Sequence, residues 1–172
     1  MVEWSLDVLR EVCDRVVVAA PPDRVEPPDF VVGGATRSES VRNALDAAPE
    51  ASVVVIHDAA RPLVTVDLVR RCLNALEEGC DGVIAAIPVT DTVKEVERGD
   101  VVRTPDRGRL WAAQTPQVFR ADVLRRVSGS DATDDASLVE AIGGRVRVVE
   151  GTPENLKVTT PLDVRIAEML LC

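Results

Sequence analysis

The sequence predicts an α/β fold: a Rossmann-like, doubly wound, mostly parallel sheet with an inserted β-hairpin arm. Three observations carry this expectation. Apolar runs without alternation at residues 16–20, 53–57 and 82–87 read as strands covered on both faces. Segments with apolar residues at helical spacing fall between them, as a β-then-α repeat requires. At residues 89–104 the pattern changes to polar and apolar alternation around Arg98-Gly99-Asp100, the pattern of a hairpin with one wet face.

In chain order, Val2, Leu6, Leu9 and Cys13 predict an opening helix. The strand at 16–20 ends at Pro21-Pro22 and a loop rich in Pro and Asp, and Phe30-Val31-Val32 is a short edge strand. Gly33-Gly34 then turns the chain into a helix at 38–48. The strand at 53–57 stops at His57-Asp58, and a polar turn leads to a helix at 65–78 whose Val66, Val69, Leu73 and Leu76 stripe is core packing. After the strand at 82–87 and the arm comes an extended segment, 106–119, anchored by Trp111 and Phe119. Helices at 121–127 and from Thr133 to Ile142, the latter capped by Thr133, precede a strand at 145–149. A short extended piece, Asn155-Leu156-Lys157-Val158-Thr159, leads to a last helix with Pro161 at its first position.

Composition narrows the function. The 172 residues have the length of one domain, and a net charge of −9 disfavours nucleic acid and anionic membrane surfaces as partners. Tyr is absent and only two Trp and two Phe are present, which argues against base-stacking platforms. Four Cys without a CxxC pair and a single His speak against zinc. No apolar run approaches the roughly 18 residues of a membrane span, and Met1-Val2-Glu3-Trp4 carries no basic leader, so the expected location is cytoplasmic. Any phosphate site must therefore be a local basic pocket. Of 20 basic residues only Lys94 and Lys157 are Lys, and a compact ammonium suits a point contact with phosphate.

Candidate site residues gather at the turns that follow strands. In open α/β sheets ligands sit outside the carboxyl ends of the strands, which is where His57-Asp58-Ala59-Ala60-Arg61-Pro62 falls. Asp58 could hold a metal ion or a hydroxyl, and Arg61 could fork onto phosphate. A helix cap beside a surface ion pair fits the same six residues. The turn at Gly34, Arg37 and Ser40 could cradle an anion or a sugar edge, or be an ordinary capped turn. The sequence shows no Ser-His-Asp set, no Cys with a base partner and no close carboxylate pair. A reaction without a protein base remains: a phosphate monoester, already largely dianionic at neutral pH, can attack an activated phosphorus directly. That chemistry is nucleotidyl transfer.

Five motifs stand in order: His57-Asp58-Ala59-Ala60-Arg61-Pro62, Asp91-Thr92-Val93-Lys94, Leu110-Trp111 with Gln114-Thr115-Pro116-Gln117, Thr133-Asp134-Asp135-Ala136-Ser137, and Asn155-Leu156-Lys157-Val158-Thr159. Together they resemble the 2-C-methyl-D-erythritol 4-phosphate cytidylyltransferase family over essentially the whole chain. The resemblance implies a nucleotide-diphospho-sugar transferase-like fold and a homodimer formed through the β-arm. It implies synthesis of 4-diphosphocytidyl-2-C-methyl-D-erythritol and pyrophosphate from CTP and 2-C-methyl-D-erythritol 4-phosphate, with Mg²⁺, in non-mevalonate isoprenoid biosynthesis. By that resemblance Gly34, Arg37 and Ser40 contact the cytidine, and Ala59 and Arg61 lie along the nucleotide. Asp58 touches substrate hydroxyls and the metal region, and Arg107 and Lys157 grip the sugar phosphate. Thr92, Thr115 and Thr133 complete that pocket, some reaching across from the partner's arm. Ala35 stands where the family commonly has an acid.

Family members also begin with a strand and a glycine-rich loop bearing an Arg and a Lys that precede the first helix here. The expectation is thus a single domain, residues 1–172, without that strand and loop. The edges at 16–20 and 53–57 would lack partners, and folding or turnover of these residues alone would be impaired. Two other readings stay open: a cytidylyltransferase acting on ribitol 5-phosphate, and a catalytically silent binding subunit.

Overall fold

A computed structural model gives the fold of the chain and describes residues 2–25, 29–128 and 134–171. Strand residues alternate between two faces, so a strand apolar throughout needs cover on both. The helices supply that cover. The elements that build the layers are α1 (Val2–Val12), β1 (Val18–Ala20), β2 (Phe30–Val32), α2 (Arg37–Asp46), β3 (Val53–Ile56) and α3 (Val66–Glu77). They continue with β4 (Gly82–Pro88), β5 (Glu95–Glu97), β6 (Asp100–Arg103), β7 (Trp111–Arg120), α4 (Ala121–Val127), α5 (Asp135–Ala141), β8 (Val146–Glu150) and α6 (Pro161–Leu171).

The central sheet has the order β3-β7-β4-β8. β7 is antiparallel to both neighbours while β4 and β8 are parallel, so β3, β4 and β8 run one way and β7 the other. On one face Leu45 of α2, Leu124 of α4 and Val139 of α5 close over Ile56 and Phe119. On the other, Leu68, Cys72 and Leu76 of α3 cover Val83, Ala85 and Val118, and Leu9 of α1 packs on Val69 of α3. The neighbours Val118 and Phe119 thus serve opposite cores, as the period of two dictates. Burial in this apolar layer pushes the Cys72 thiol up to about 12, against the smaller opposing effect of Arg71.

β1 and β2 pair in parallel as a ladder of their own, with no hydrogen-bonded link to the central sheet among the described residues. A cavity of about 600 Å³ lies between β1 and β3, walled by apolar side chains of α1, α2 and both strands, with Arg37, Ser40, His57, Asp58 and Ala59 also lining it.

The largest departure from the sequence expectation is β7. The segment expected as a short extended piece is a ten-residue strand in the middle of the sheet. Pro116 argues against a central strand because it cannot donate to a ladder. The register explains the exception. Pairing with β3 ends at Ile56 and Gln117, while on the other side Ile84 pairs with Gln117 and Ala86 with Ala113. Gln114, Thr115 and Pro116 therefore bulge opposite Ala85 alone, where the missing N–H is not needed. Phe119 anchors this strand in the core, but Trp111 does not: it is 42% exposed at the strand's outer end.

The hairpin forms as expected. β5 and β6 are antiparallel, and Arg98 and Gly99 between them both have positive φ, the backbone of the two-residue turn that matches strand twist. Thr133, expected to cap α5, lies outside the described residues; Asp134 caps that helix, accepting from the Ser137 amide.

Candidate active site

The apolar strand β3 ends because His57 and Asp58 begin a turn closed by the Arg61 amide bonding the Asp58 carbonyl at 2.9 Å. This turn is tied to its surroundings at every residue that carries chemistry. The Asp58 amide donates to Thr115 Oγ1 at 3.1 Å, and the same hydroxyl lies 2.9 Å from His57 Nδ1. His57 Nε2 lies 3.0 Å from the Arg61 carbonyl. The bulge in β7 sets Thr115 beneath the turn, 3% exposed, with its hydroxyl committed to these two partners.

The third strand-end segment is bound to the same place. Val158 N–H donates to the Ala60 carbonyl at 2.7 Å, and the buried Asn155 amide donates to Gln114 Oε1 at 3.1 Å and the Thr115 carbonyl at 2.8 Å. Arg61 completes the joint, donating from one guanidinium nitrogen to the Asn155 carbonyl at 2.8 Å and from another to the Ala113 carbonyl at 3.4 Å. Arg61 therefore faces inward, 11% exposed, as a clamp between segments. Burial pulls its guanidinium below the ordinary value, partly offset by Asp58.

Asp58 is the hub of a charge cluster. Lys157 Nζ stands 3.0 Å from Oδ2, Arg37 Nε 3.4 Å from Oδ1 and Arg61 Nε 3.9 Å from Oδ2. Burial alone would raise the Asp58 carboxyl, but Lys157 and Arg37 outweigh it and hold the group below the ordinary range. Arg37 also pairs with Asp135, 2.7 Å away and 4% exposed. Burial opposes the Arg37 charge, and Asp135 with Asp58 overcomes that and raises its pKa. Three cations face two carboxylates here, and Lys157 is 46% exposed and reaches solvent. A net positive pocket at a strand end, with one cation accessible, suits an anionic ligand.

The glycine turn before α2 is self-contained. Thr36 caps the helix, accepting from the Glu39 amide at 3.1 Å. The Gly34 amide donates to Ser40 Oγ at 3.0 Å and the Ala35 amide to Glu39 Oε2 at 2.6 Å, so both amides already have partners. A Cβ on Gly34 would stand 2.1 Å from that of Glu39, so only glycine fits there.

Of the residues expected from sequence, the structure brings together Arg37, Asp58, Arg61, Thr115 and Lys157, with Ser40 and Ala59 on the same cavity wall. Arg107 is not joined to Lys157: its guanidinium donates to the Thr90 carbonyl at 2.6 Å at the base of the arm, and Thr92 is exposed in the same region. Asp135 is the residue that sequence reasoning missed. An acid at a helix start reads as a complement to the helix dipole, and only burial at 3% reveals that it faces Arg37 instead. No three metal-ligating side chains meet among the described residues, and the Asp58 oxygens face cations. These residues do not fit a protein-built Mg²⁺ site.

A family model described as IspD, 2-C-methyl-D-erythritol 4-phosphate cytidylyltransferase, matches residues 1–172. The chain belongs to that family. A curated member from Nocardia farcinica is 49% identical over 99% of this chain and 81% of its own length. One from Nostoc sp. is 48% identical over 85% of this chain and 67% of its own length. The solved structure of the cytidylyltransferase from Thermus thermophilus superposes with a TM-score of 0.86 at 38% identity, covering 98% of this chain and 87% of that one. Each of these names methylerythritol phosphate rather than ribitol phosphate. As in those family structures, the chain has an α/β fold with a mostly parallel sheet. No helix among the described residues is long and apolar enough to cross a membrane.

Proposed function

We propose that this cytidylyltransferase family member joins CTP to 2-C-methyl-D-erythritol 4-phosphate, giving 4-diphosphocytidyl-2-C-methyl-D-erythritol and pyrophosphate. The observation that carries the reading is the Asp58 cluster at the end of β3, where Arg37, Arg61 and Lys157 converge in a chain of net charge −9. The sugar phosphate attacks the α-phosphorus of CTP; a new P–O bond forms as the bond to the β-phosphate oxygen breaks and pyrophosphate leaves. The attacking oxygen is already ionised, so the protein's work is alignment and charge compensation.

In this mechanism Lys157 and Arg107 hold the sugar phosphate, Lys157 by exchanging part of its pairing with Asp58 for the phosphate. Arg107 comes to that phosphate from the arm of a second copy, so the active species is a homodimer. Gly34, Arg37, Ser40 and Ala59 border the cytidine, and Asp58 meets substrate hydroxyls. Thr92 and Thr133 line the sugar-phosphate side, while Thr115 acts from beneath through the Asp58 amide. Arg61 lies along the nucleotide as the clamp that keeps this turn in place. Mg²⁺ would be brought with CTP rather than by a protein-built site, and would supply charge compensation on the nucleotide. The protein works in the cytoplasm.

The test is pyrophosphate release from CTP and Mg²⁺ with methylerythritol phosphate, and with ribitol 5-phosphate as control. Release that needs methylerythritol phosphate supports the reading. Release with ribitol 5-phosphate alone, or no release with either sugar phosphate, overturns it.

A further inference from the structure

We propose that His57 is a positioning residue of this site, a neutral imidazole in its Nε2–H tautomer that locks the Asp58–Arg61 turn to β7. Its partners assign the protons. Nε2 faces the Arg61 carbonyl at 3.0 Å, and a carbonyl can only accept, so Nε2 carries hydrogen. On the other side, Thr115 Oγ1 already accepts from the Asp58 amide at 3.1 Å. Its own proton is free to donate to Nδ1, 2.9 Å away. A neutral ring then satisfies every bond at once: Asp58 N–H to Thr115 Oγ1, Thr115 O–H to His57 Nδ1, and His57 Nε2–H to Arg61 O. The Ser5 hydroxyl of α1 also donates to that carbonyl, at 3.4 Å.

The surroundings favour neutrality. Burial moves the ring's pKa below the ordinary value, opposed by the Arg61 carbonyl and Asp58, with Arg61 adding to the fall. The charged groups near it are Asp58 and Arg61 of its own turn, and through Asp58 the cations Arg37 of α2 and Lys157 of the segment before α6. The two residues the ring constrains are the hub carboxylate, through its backbone amide, and the inter-segment clamp, through its carbonyl. No atom of His57 needs to touch substrate for this role.

As the protein's sole histidine, His57 gives an imidazole signal that needs no assignment. Nitrogen-15 NMR of the ring near neutral pH should show Nε2 protonated and Nδ1 bare. In T115V the Nδ1 partner is lost, so the tautomer preference should weaken and the Asp58 amide should exchange faster, whereas T115S should keep both signatures. The kinetic arm rests on the cytidylyltransferase reading. There H57A should lower kcat/KM at least about tenfold, the usual scale for stranding buried hydrogen-bond partners. H57N, which keeps an acceptor for Thr115, and H57Q, which keeps a donor for Arg61, should fall between H57A and the parent. H57A/T115V should be little worse than H57A alone.

A protonated Nδ1 in the parent, an unchanged ring signal and unchanged Asp58 exchange in T115V, or strictly additive kinetic losses would each overturn the proposal. The spectroscopic arm decides it even if no turnover is found with CTP, so its failure is distinguishable from failure of the functional reading.

Discussion

Asp58 pairs with Arg37 and Lys157 through one carboxylate, and Arg61 Nε stands farther off at 3.9 Å. Replacing the exposed Lys157 by Ala should therefore leave the fold intact and lower kcat/KM by about 100-fold, the scale for losing one preorganised charge-stabilising donor. Lys157→Arg should recover little of it, since a planar fork does not replace a compact ammonium; steady-state kinetics with varied sugar phosphate checks both. The pH dependence of stability has a definite sign. The folded-state pKa of His57 is lowered, so its contribution is complete above the unfolded value of about 6.5 and is lost as pH falls below that. Tm should fall between about pH 7 and pH 5, with stability changing by at most about 1.4 kcal/mol per pH unit, and His57→Gln should flatten the slope. Asp58, also depressed, contributes above its unfolded value near 4 and loses that contribution only in stronger acid, as pH falls through its folded value. Asp58 and Arg61 were legible in the sequence as polar groups stopping an apolar strand, and Arg37 and Lys157 as basic residues at other turns. Their connections were not, because Asp135, Asn155 and Thr115 act through burial and sequence-distant partners.

The elements read from periodicity came out close to their bounds: α3, expected at 65–78, spans Val66–Glu77 with Thr65 as its cap. Helical caps announce themselves in sequence because they satisfy amides a few residues away. Thr36→Ala should cost about 1 kcal/mol in denaturant unfolding by stranding the Glu39 amide. β7 was harder because its pattern is interrupted where its function lies. Gln114, Thr115, Pro116 and Gln117 are polar or unable to donate, yet all are buried, and the bulge that accommodates them is a property of pairing between strands. Phe119, fully buried where α2, α4 and α5 meet the sheet, holds this strand in register. Phe119→Ala should cost about 3–5 kcal/mol, measurable as a drop in denaturant midpoint.

The doubly wound fold was legible because each apolar strand demanded cover on both faces and each intervening helix could supply it; the split between the β1–β2 ladder and the central sheet was visible only as expected unpaired edges. The arm presents Val96, Val101 and Val102 at more than half exposure, an apolar surface that a second copy would cover in the proposed dimer. Val101→Asp should shift sedimentation toward the monomer and cut turnover in parallel, because Arg107 at the base of the arm would lose its place in the partner's site. A single monomer mass at every concentration in the parent would remove the dimer from the mechanism. The thiols offer a view of the whole molecule's breathing. Cys72 sits in the sheet's apolar layer with its thiol pushed up to about 12, and Cys80 is buried beside it, while Cys13 is only half-buried at the end of α1. Of these three described thiols, an alkylating reagent added to the native protein should mark Cys13 first and reach Cys72 and Cys80 only when α3 lifts from the sheet, so the lag between those marks is a clock for global opening.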